Sequence, residues 1–262
     1  MDETVKARIT IEGVTLGYGQ AVVLDALSLP VAPGQVTVLA GPNGCGKSTL
    51  LRAIRRLHRP STGRILVEDI DVAKIGHKAL ARQIGLLAQS PSAPEEMTVE
   101  ELVRLGRYPH QSMFQPWNPH DTAAMDKAME GTGVLHLRDR RIGSLSGGQL
   151  QRVWIAMVLA QETDIICLDE PVNHLDMAHQ IECLNLVGAL KNDHGRTVVL
   201  VLHDLNLAAR HADVLVFLKD GKVVARGAPE DLMTPDTIEE VFGVKTAIIT
   251  DPLHGRPLCI PR

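Results

Sequence analysis

The stretch GPNGCGKST, residues 41–49, constrains this chain more than any other. It follows a short apolar run at 36–40 and opens a helix-periodic run at 47–57. A strand that feeds a glycine-rich turn and then a helix aims several backbone N–H groups at one point, where the positive end of the helix dipole also lies. Gly41, Gly44 and Gly46 allow the tight turn, with Pro42, Asn43 and Cys45 filling the loop between them. The spacing G-x-x-x-x-G-K-[ST] places Lys47 to reach the terminal phosphates of a nucleotide. Ser48 is placed to ligate Mg²⁺, and Thr49 adds a hydroxyl near the α-phosphate. A nucleotide with β- and γ-phosphates and Mg²⁺ are therefore the expected ligands.

The rest of the chain supplies the sheet that such a loop needs. Strand-like runs fall at 9–16, 36–40, 64–67, 84–88, 164–168, 197–202, 214–218 and 222–225. Several are continuously apolar, as in strands covered on both faces. Helical patterns at 47–57, 177–192 and 205–211 alternate with them, which predicts an α/β sheet with mainly parallel strands. Residues 91–161 lack strand runs and carry helical periodicity at 98–107, 121–131 and 148–160. We read 8–90 with 162–228 as the α/β core, 91–161 as a helical subdomain and 229–262 as a structural tail.

Composition removes several alternatives. With 27 basic and 31 acidic side chains the formal net charge is −4, without the basic surplus of a nucleic-acid binder. Three Phe, two Tyr and two Trp are too few for base-stacking platforms or aromatic sugar sites. The first ten residues hold no apolar h-region, and no apolar run approaches the ~18 residues of a membrane span. Cys45, Cys167, Cys183 and Cys259 form no CxxC spacing and read as small buried hydrophobes. The histidines show no H-E-x-x-H pattern and, His203 apart, read as surface or packing residues.

Two more stretches carry chemistry. DIICLDEP puts Asp169 and Glu170 at the end of an apolar strand, where ligands of open α/β sheets bind. Asp169 suits a Mg²⁺ held through water, and Glu170 suits a base that activates water against the γ-phosphate. LSGGQLQR sets Ser146 as the N-cap of a helix that opens with Gly147, Gly148 and Gln149, a second helix start able to meet phosphate.

With these motifs in this order, the chain resembles the ATP-binding subunit of an ABC transporter over essentially its whole length. LSGGQ matches that family's signature. The resemblance implies a P-loop NTPase core with an antiparallel β portion. It also implies two subunits packed head to tail, with each ATP between one P-loop and the partner's signature residues Ser146–Gln149. Further positions carry over singly. Tyr18, in LGYG, resembles the aromatic that stacks on adenine. Gln89, closing IGLLAQ, resembles the Q-loop glutamine that senses Mg²⁺ and the γ-phosphate. His203, in VLVLHD, resembles the histidine that contacts the γ-phosphate. Asp176, in NHLD, resembles the D-loop aspartate at the dimer contact, and a plain helix N-cap is the competing reading. Val172 and His174 depart from the family pattern without removing a catalytic group.

GPNGCGKSTLLRAI, GRYPHQ, WIAMVLAQET and LHDLNLAARHAD are most similar to ATPases of ferric-siderophore importers. Importers of haem, cobalamin or other metal chelates are the near alternatives. A non-transport ABC ATPase is disfavoured by the single cassette and the missing coiled-coil arm. The resemblance implies membrane permease subunits as partners, a substrate-binding protein met only indirectly, no nucleic acid, and a place on the cytoplasmic face of the membrane. The segment 108–117 holds three of the seven aromatics. Phe114 and Trp117 either border the groove that receives a permease helix or pack locally.

Overall fold

A computed structural model describes residues 6–112, 117–173 and 175–262. The chain opens with β1 (Ile9–Tyr18) and β2 (Ala21–Val31), then β3 (Val36–Ala40) and α1 (Lys47–Ile54). Next come β4 (Thr62–Val67), β5 (Ile70–Asp71), α2 (His77–Ala81) and β6 (Ile84–Leu87). The helical region holds α3 (Val99–Arg104), α4 (Pro119–Gly131) and α5 (Gly147–Leu159). The chain then returns to β7 (Ile165–Asp169), α6 (Met177–His194), β8 (Thr197–Val201), α7 (Leu205–His211), β9 (Val214–Lys219) and β10 (Lys222–Gly227). It ends with α8 (Pro229–Leu232), α9 (Pro235–Phe242), β11 (Thr246–Thr250) and β12 (Pro257–Pro261).

The main sheet runs in the order β10-β9-β3-β8-β7-β6. β9, β3, β8, β7 and β6 are parallel, and only β10 is antiparallel. β3, β7 and β8 are buried at every position, which is why their sequences are continuously apolar. Successive residues nonetheless face different cores. Val36, Val38, Ile166, Leu168, Val198 and Leu200 join one apolar cluster with residues of α3 to α9. Leu39, Ile165, Cys167, Val199 and Val201 join the other, with α1 and the antiparallel sheet. Each such Val or Leu taken out of water contributes about 1.5–3 kcal/mol.

The antiparallel sheet, in the order β2-β1-β4-β5, was only partly legible. The run 9–16 extends to Tyr18, and its neighbour β2 carries no clear pattern in the sequence. The reason is local. Ala26 adopts φ 46, the β1–β2 register shifts beside it, and the buried series Leu24, Leu27, Leu29 loses its period of two.

In the helical region the expected helix 98–107 ends at Arg104 and tightens into a 3-10 turn, Leu105–His110, that contains Pro109. Arg107 explains the change of course. Its guanidinium is almost wholly buried and donates to Asp121 Oδ1 (2.8 Å), the Ala160 carbonyl (2.7 Å) and Glu162 Oε2 (2.7 Å). Burial disfavours the Asp121 charge, yet the Arg107 hydrogen bond and the Asn118 amide hold its carboxyl below the ordinary value. The run GRYPHQ is thus a clamp that ties this turn to the start of α4 and the end of α5.

Candidate nucleotide site

The parallel topology brings several of the residues singled out in the sequence together. Gly41 follows the last residue of β3, Asp169 ends β7, Gln89 lies two residues past β6, and His203 lies two past β8. Four neighbouring parallel strands therefore deliver their carboxyl ends to one edge, where ligands of such sheets bind. A cleft of ≈ 340 Å³ opens there, lined by Tyr18, Val23, Asn43, Gly44, Gly46, Lys47, Ser48, Thr49, Gln89, Glu170 and His203.

The glycine-rich loop is built for close approach. A Cβ on Gly41 would stand 2.0 Å from the Leu218 carbonyl oxygen, a backbone atom that cannot step aside. Gly46, the N-cap of α1, stands at φ 104 with no side-chain cap, and the first turn holds no acidic residue. The N–H groups of this helix start are thus left to an anion. Lys47 is 5 % exposed and donates to the carbonyls of Gly41 (2.8 Å) and Pro42 (2.9 Å), which aims its ammonium along the loop. Cys45 lies beneath, its Sγ 3.7 Å from that ammonium, and burial pushes its thiol pKa up.

The acidic edge faces this cradle. Ser48 Oγ donates to Asp169 Oδ1 at 2.9 Å. Burial pushes the Asp169 carboxyl up, against the Ser48 hydrogen bond and together with the charge of Glu170 beside it. Glu170 is buried and adopts φ 54, a left-handed backbone that costs a non-glycine residue on the order of 1 kcal/mol. That turn swings its carboxylate between three partners. Gln89 Nε2 donates to Oε2 at 2.7 Å, Asn173 Nδ2 donates to the same oxygen, and His203 Nε2 lies 2.6 Å from Oε1. Among the described residues no group of three His, Cys, Asp or Glu side chains could hold a metal. The Ser48 hydroxyl, the Asp169 carboxylate and the Gln89 amide are hard oxygen donors of the kind Mg²⁺ takes when phosphates complete its shell.

The second cradle lies outside this cleft. Ser146 caps α5 in a capping box, its Oγ accepting from Gln149 N at 3.3 Å while Gln149 Oε1 accepts from Ser146 N at 3.0 Å. Ser146 and Gly147 are exposed. Asp176 caps α6, accepting from His179 N at 3.0 Å, so the N-cap reading of this residue describes its place in the single chain. His174 lies outside the described residues.

Three contributors escaped the sequence reading. Asn173 orients Glu170. His58 sets its ring 4.6 Å from that of Tyr18, and its Nε2 lies 2.9 Å from the Gly17 carbonyl. His179 holds Asp176 Oδ1 through Nδ1 (2.7 Å) and packs so close to Gly148 that a Cβ there would stand 2.9 Å from its ring. The contacts of His58 with Tyr18 and of His179 with Gly148 cross the fold, whereas Asn173 reaches Glu170 from three residues away.

The loop after β3 and the sheet order make this a P-loop NTPase α/β fold. The ABC transporter family profile matches residues 24–173, and the chain belongs to that family. It is 50% identical over 253 residues to the "Probable siderophore transport system ATP-binding protein YusV" of Bacillus subtilis, covering 97% of this chain and 92% of that one. It is 48% identical over 261 residues to the ferric enterobactin transport ATP-binding protein FepC of Escherichia coli, covering 100% and 96%. Among solved structures it resembles a dimeric bacterial ABC transporter cassette, with a TM-score of 0.75, 28% identity, and 84% and 98% of the two chains covered.

Proposed function

We propose that this chain binds Mg·ATP, closes on a second copy of itself, hydrolyses the nucleotide and so powers a membrane importer of ferric siderophores. The observation that carries the hydrolytic part is the buried Glu170 carboxylate, fixed by Gln89, Asn173 and His203 beside the loop of Lys47 and Ser48. A water between this carboxylate and the terminal phosphate would lose its proton to Glu170 as it attacks phosphorus, and ADP would leave. Lys47, the loop amides and His203 would meet the charge that gathers on the phosphoryl oxygens. Ser48, Asp169 and Gln89 would hold Mg²⁺, which supplies charge neutralisation when bound. Tyr18, half exposed at the mouth of the cleft, would stack on adenine.

The dimer reading rests on the split between the two cradles. Gly41 to Thr49 belong to the cleft region, whereas Ser146, Gly147, Gly148, Gln149 and Asp176 lie outside it, where a partner's nucleotide would meet them. The permease reading rests on a hollow of ≈ 290 Å³ lined by Met97, Glu101, Arg104, Leu105, Tyr108 and Gln111. Leu105 is 50% and Tyr108 65% exposed there. Trp117 stands nearby, its ring 4.4 Å from the Arg104 guanidinium carbon, whereas Phe114 lies outside the described residues. No helix among the described residues is long and apolar enough to cross a membrane. A peripheral place on the cytoplasmic face of the membrane is supported by the likeness to transport ATP-binding proteins.

The cargo reading rests on the siderophore and ferric enterobactin relatives. Uptake in a strain lacking this subunit tests it, with labelled ferric siderophores, haem and cobalamin compared. Restored uptake of a ferric siderophore by the intact chain, and not by Glu170→Gln, is the expected result. Restored uptake of haem or cobalamin alone would overturn the cargo.

A further inference from the structure

The tail beyond residue 228 carries no catalytic motif, yet it grips the element that presents His203. α7 begins two residues after His203, and Asp204 caps it by accepting from the amides of Asn206 (2.8 Å) and Leu207 (2.9 Å). The side chain of Asn206, in this first turn, faces β12. Its Oδ1 accepts from the Cys259 amide at 2.7 Å, and its Nδ2 donates to the Cys259 carbonyl at 3.2 Å. One side-chain amide thus completes the ladder of an edge strand whose other edge pairs with β11, where Cys259 lies opposite Ile248.

The hairpin formed by β11 and β12 is joined to α8 and follows α9, and α9 is fixed to the main sheet. Phe242 of α9 meets Phe217 of β9 edge-on at 5.7 Å. Lys219 Nζ donates to the Glu240 carbonyl, and Arg256 pairs with Glu230 of α8. Ile238, Val241 and Cys259 lie in the same apolar cluster as Phe217 and Ala208. The first turn of α7 is therefore held from two sides, by β8 before it and by a hairpin that the sheet immobilises.

We propose that the carboxy-terminal hairpin, through Asn206, is the positioning support of His203. Asn206 touches no reacting atom. It fixes the turn from which the imidazole reaches Glu170 Oε1, so its loss acts on the chemical step rather than on nucleotide affinity. This inference rests on the reading of His203 as part of the γ-phosphate site.

The test is a double-mutant cycle on the full chain, with steady-state ATP hydrolysis and urea unfolding measured for Asn206→Ala, His203→Ala and the pair. The structure predicts that Asn206→Ala lowers kcat roughly tenfold with KM for ATP within about twofold. In the His203→Ala background the same change should have no further effect on kcat, because the residue acts only through His203. Asn206→Asp keeps the acceptor for the Cys259 amide and should retain more of the rate. If Asn206→Ala does not fold, Asn206→Ser, too short to keep both contacts with Cys259, takes its place in the cycle. A folded Asn206→Ala or Asn206→Ser chain with parental kcat, or losses that multiply in the pair, would overturn the inference. Parental kcat in His203→Ala alone would overturn the site reading itself, and the inference with it.

Discussion

The chain carries two helix starts shaped for phosphate, and they are built in opposite ways. At α1 the N-cap is Gly46 in a left-handed conformation, with no side-chain cap and a nearly buried Lys47 behind it. At α5 the N-cap is Ser146 in extended conformation, its own side chain and that of Gln149 satisfying two backbone donors. The first is finished by its own chain, because Asp169, Glu170, Gln89 and His203 arrive from neighbouring strands. The second is flanked by His179, packed on Gly148, and none of its residues lines the cleft of the first. On the function proposed above, the first cradle contributes affinity and chemistry, whereas the second, self-capped, offers its surface to another molecule's nucleotide.

The hydrolytic centre gives the largest expected effect on this contrast. Glu170→Gln keeps the hydrogen-bonding frame but removes the base, and should lower kcat by roughly 10²–10⁴-fold while ATP affinity stays near parental. Equilibrium nucleotide binding alongside single-turnover hydrolysis separates the two. Lys47→Ala should weaken ATP binding by about 2–3 kcal/mol, on the order of a hundredfold in Kd, since a buried charge-assisted contact is lost. Ser146→Ala in the isolated chain should leave that Kd within about twofold, and equal losses in the two variants would break the contrast. The same Ser146→Ala change removes an N-cap and should cost about 1 kcal/mol of stability, read from urea unfolding.

A smaller effect separates the two regions by pH. Burial raises Asp169, so its folded form holds a proton more tightly than the unfolded chain does. As pH falls from that raised value toward 3.8, protonation favours the folded state while it weakens the edge proposed to hold Mg²⁺. Asp176 is lowered by the His179 backbone and side-chain hydrogen bonds. Its contribution to stability is present above 3.8 and is lost only as pH falls through its lower folded value. Carboxyl NMR titration should therefore show Asp169 protonating before Asp176, and the reverse order would contradict the geometry.

The motifs at 41–49, 145–152 and 164–171 were legible because each couples a spacing to a strand end or a helix start. Asp169 and Glu170 were legible from their strand end beside the loop, whereas Gln89 and His203 were singled out by the family resemblance. His58 and His179 were not, because the fold lays a tyrosine ring and a glycine against them; Asn173 was not, because only the left-handed turn at Glu170 brings the two side chains together. β2 was hidden by the left-handed Ala26, and the turn at 105–110 by the buried Arg107, whose partners lie 14 to 55 residues away.

The central claim, that one chain's loop and another's Ser146 cradle share a nucleotide, is tested most directly by sedimentation of Glu170→Gln with and without ATP. The account predicts a monomer without ATP and a dimer with it. A second substitution, Ser146→Arg, should leave ATP binding by the monomer intact and abolish the dimer. A chain that stays monomeric in saturating ATP, or a dimer that survives Ser146→Arg, would contradict it.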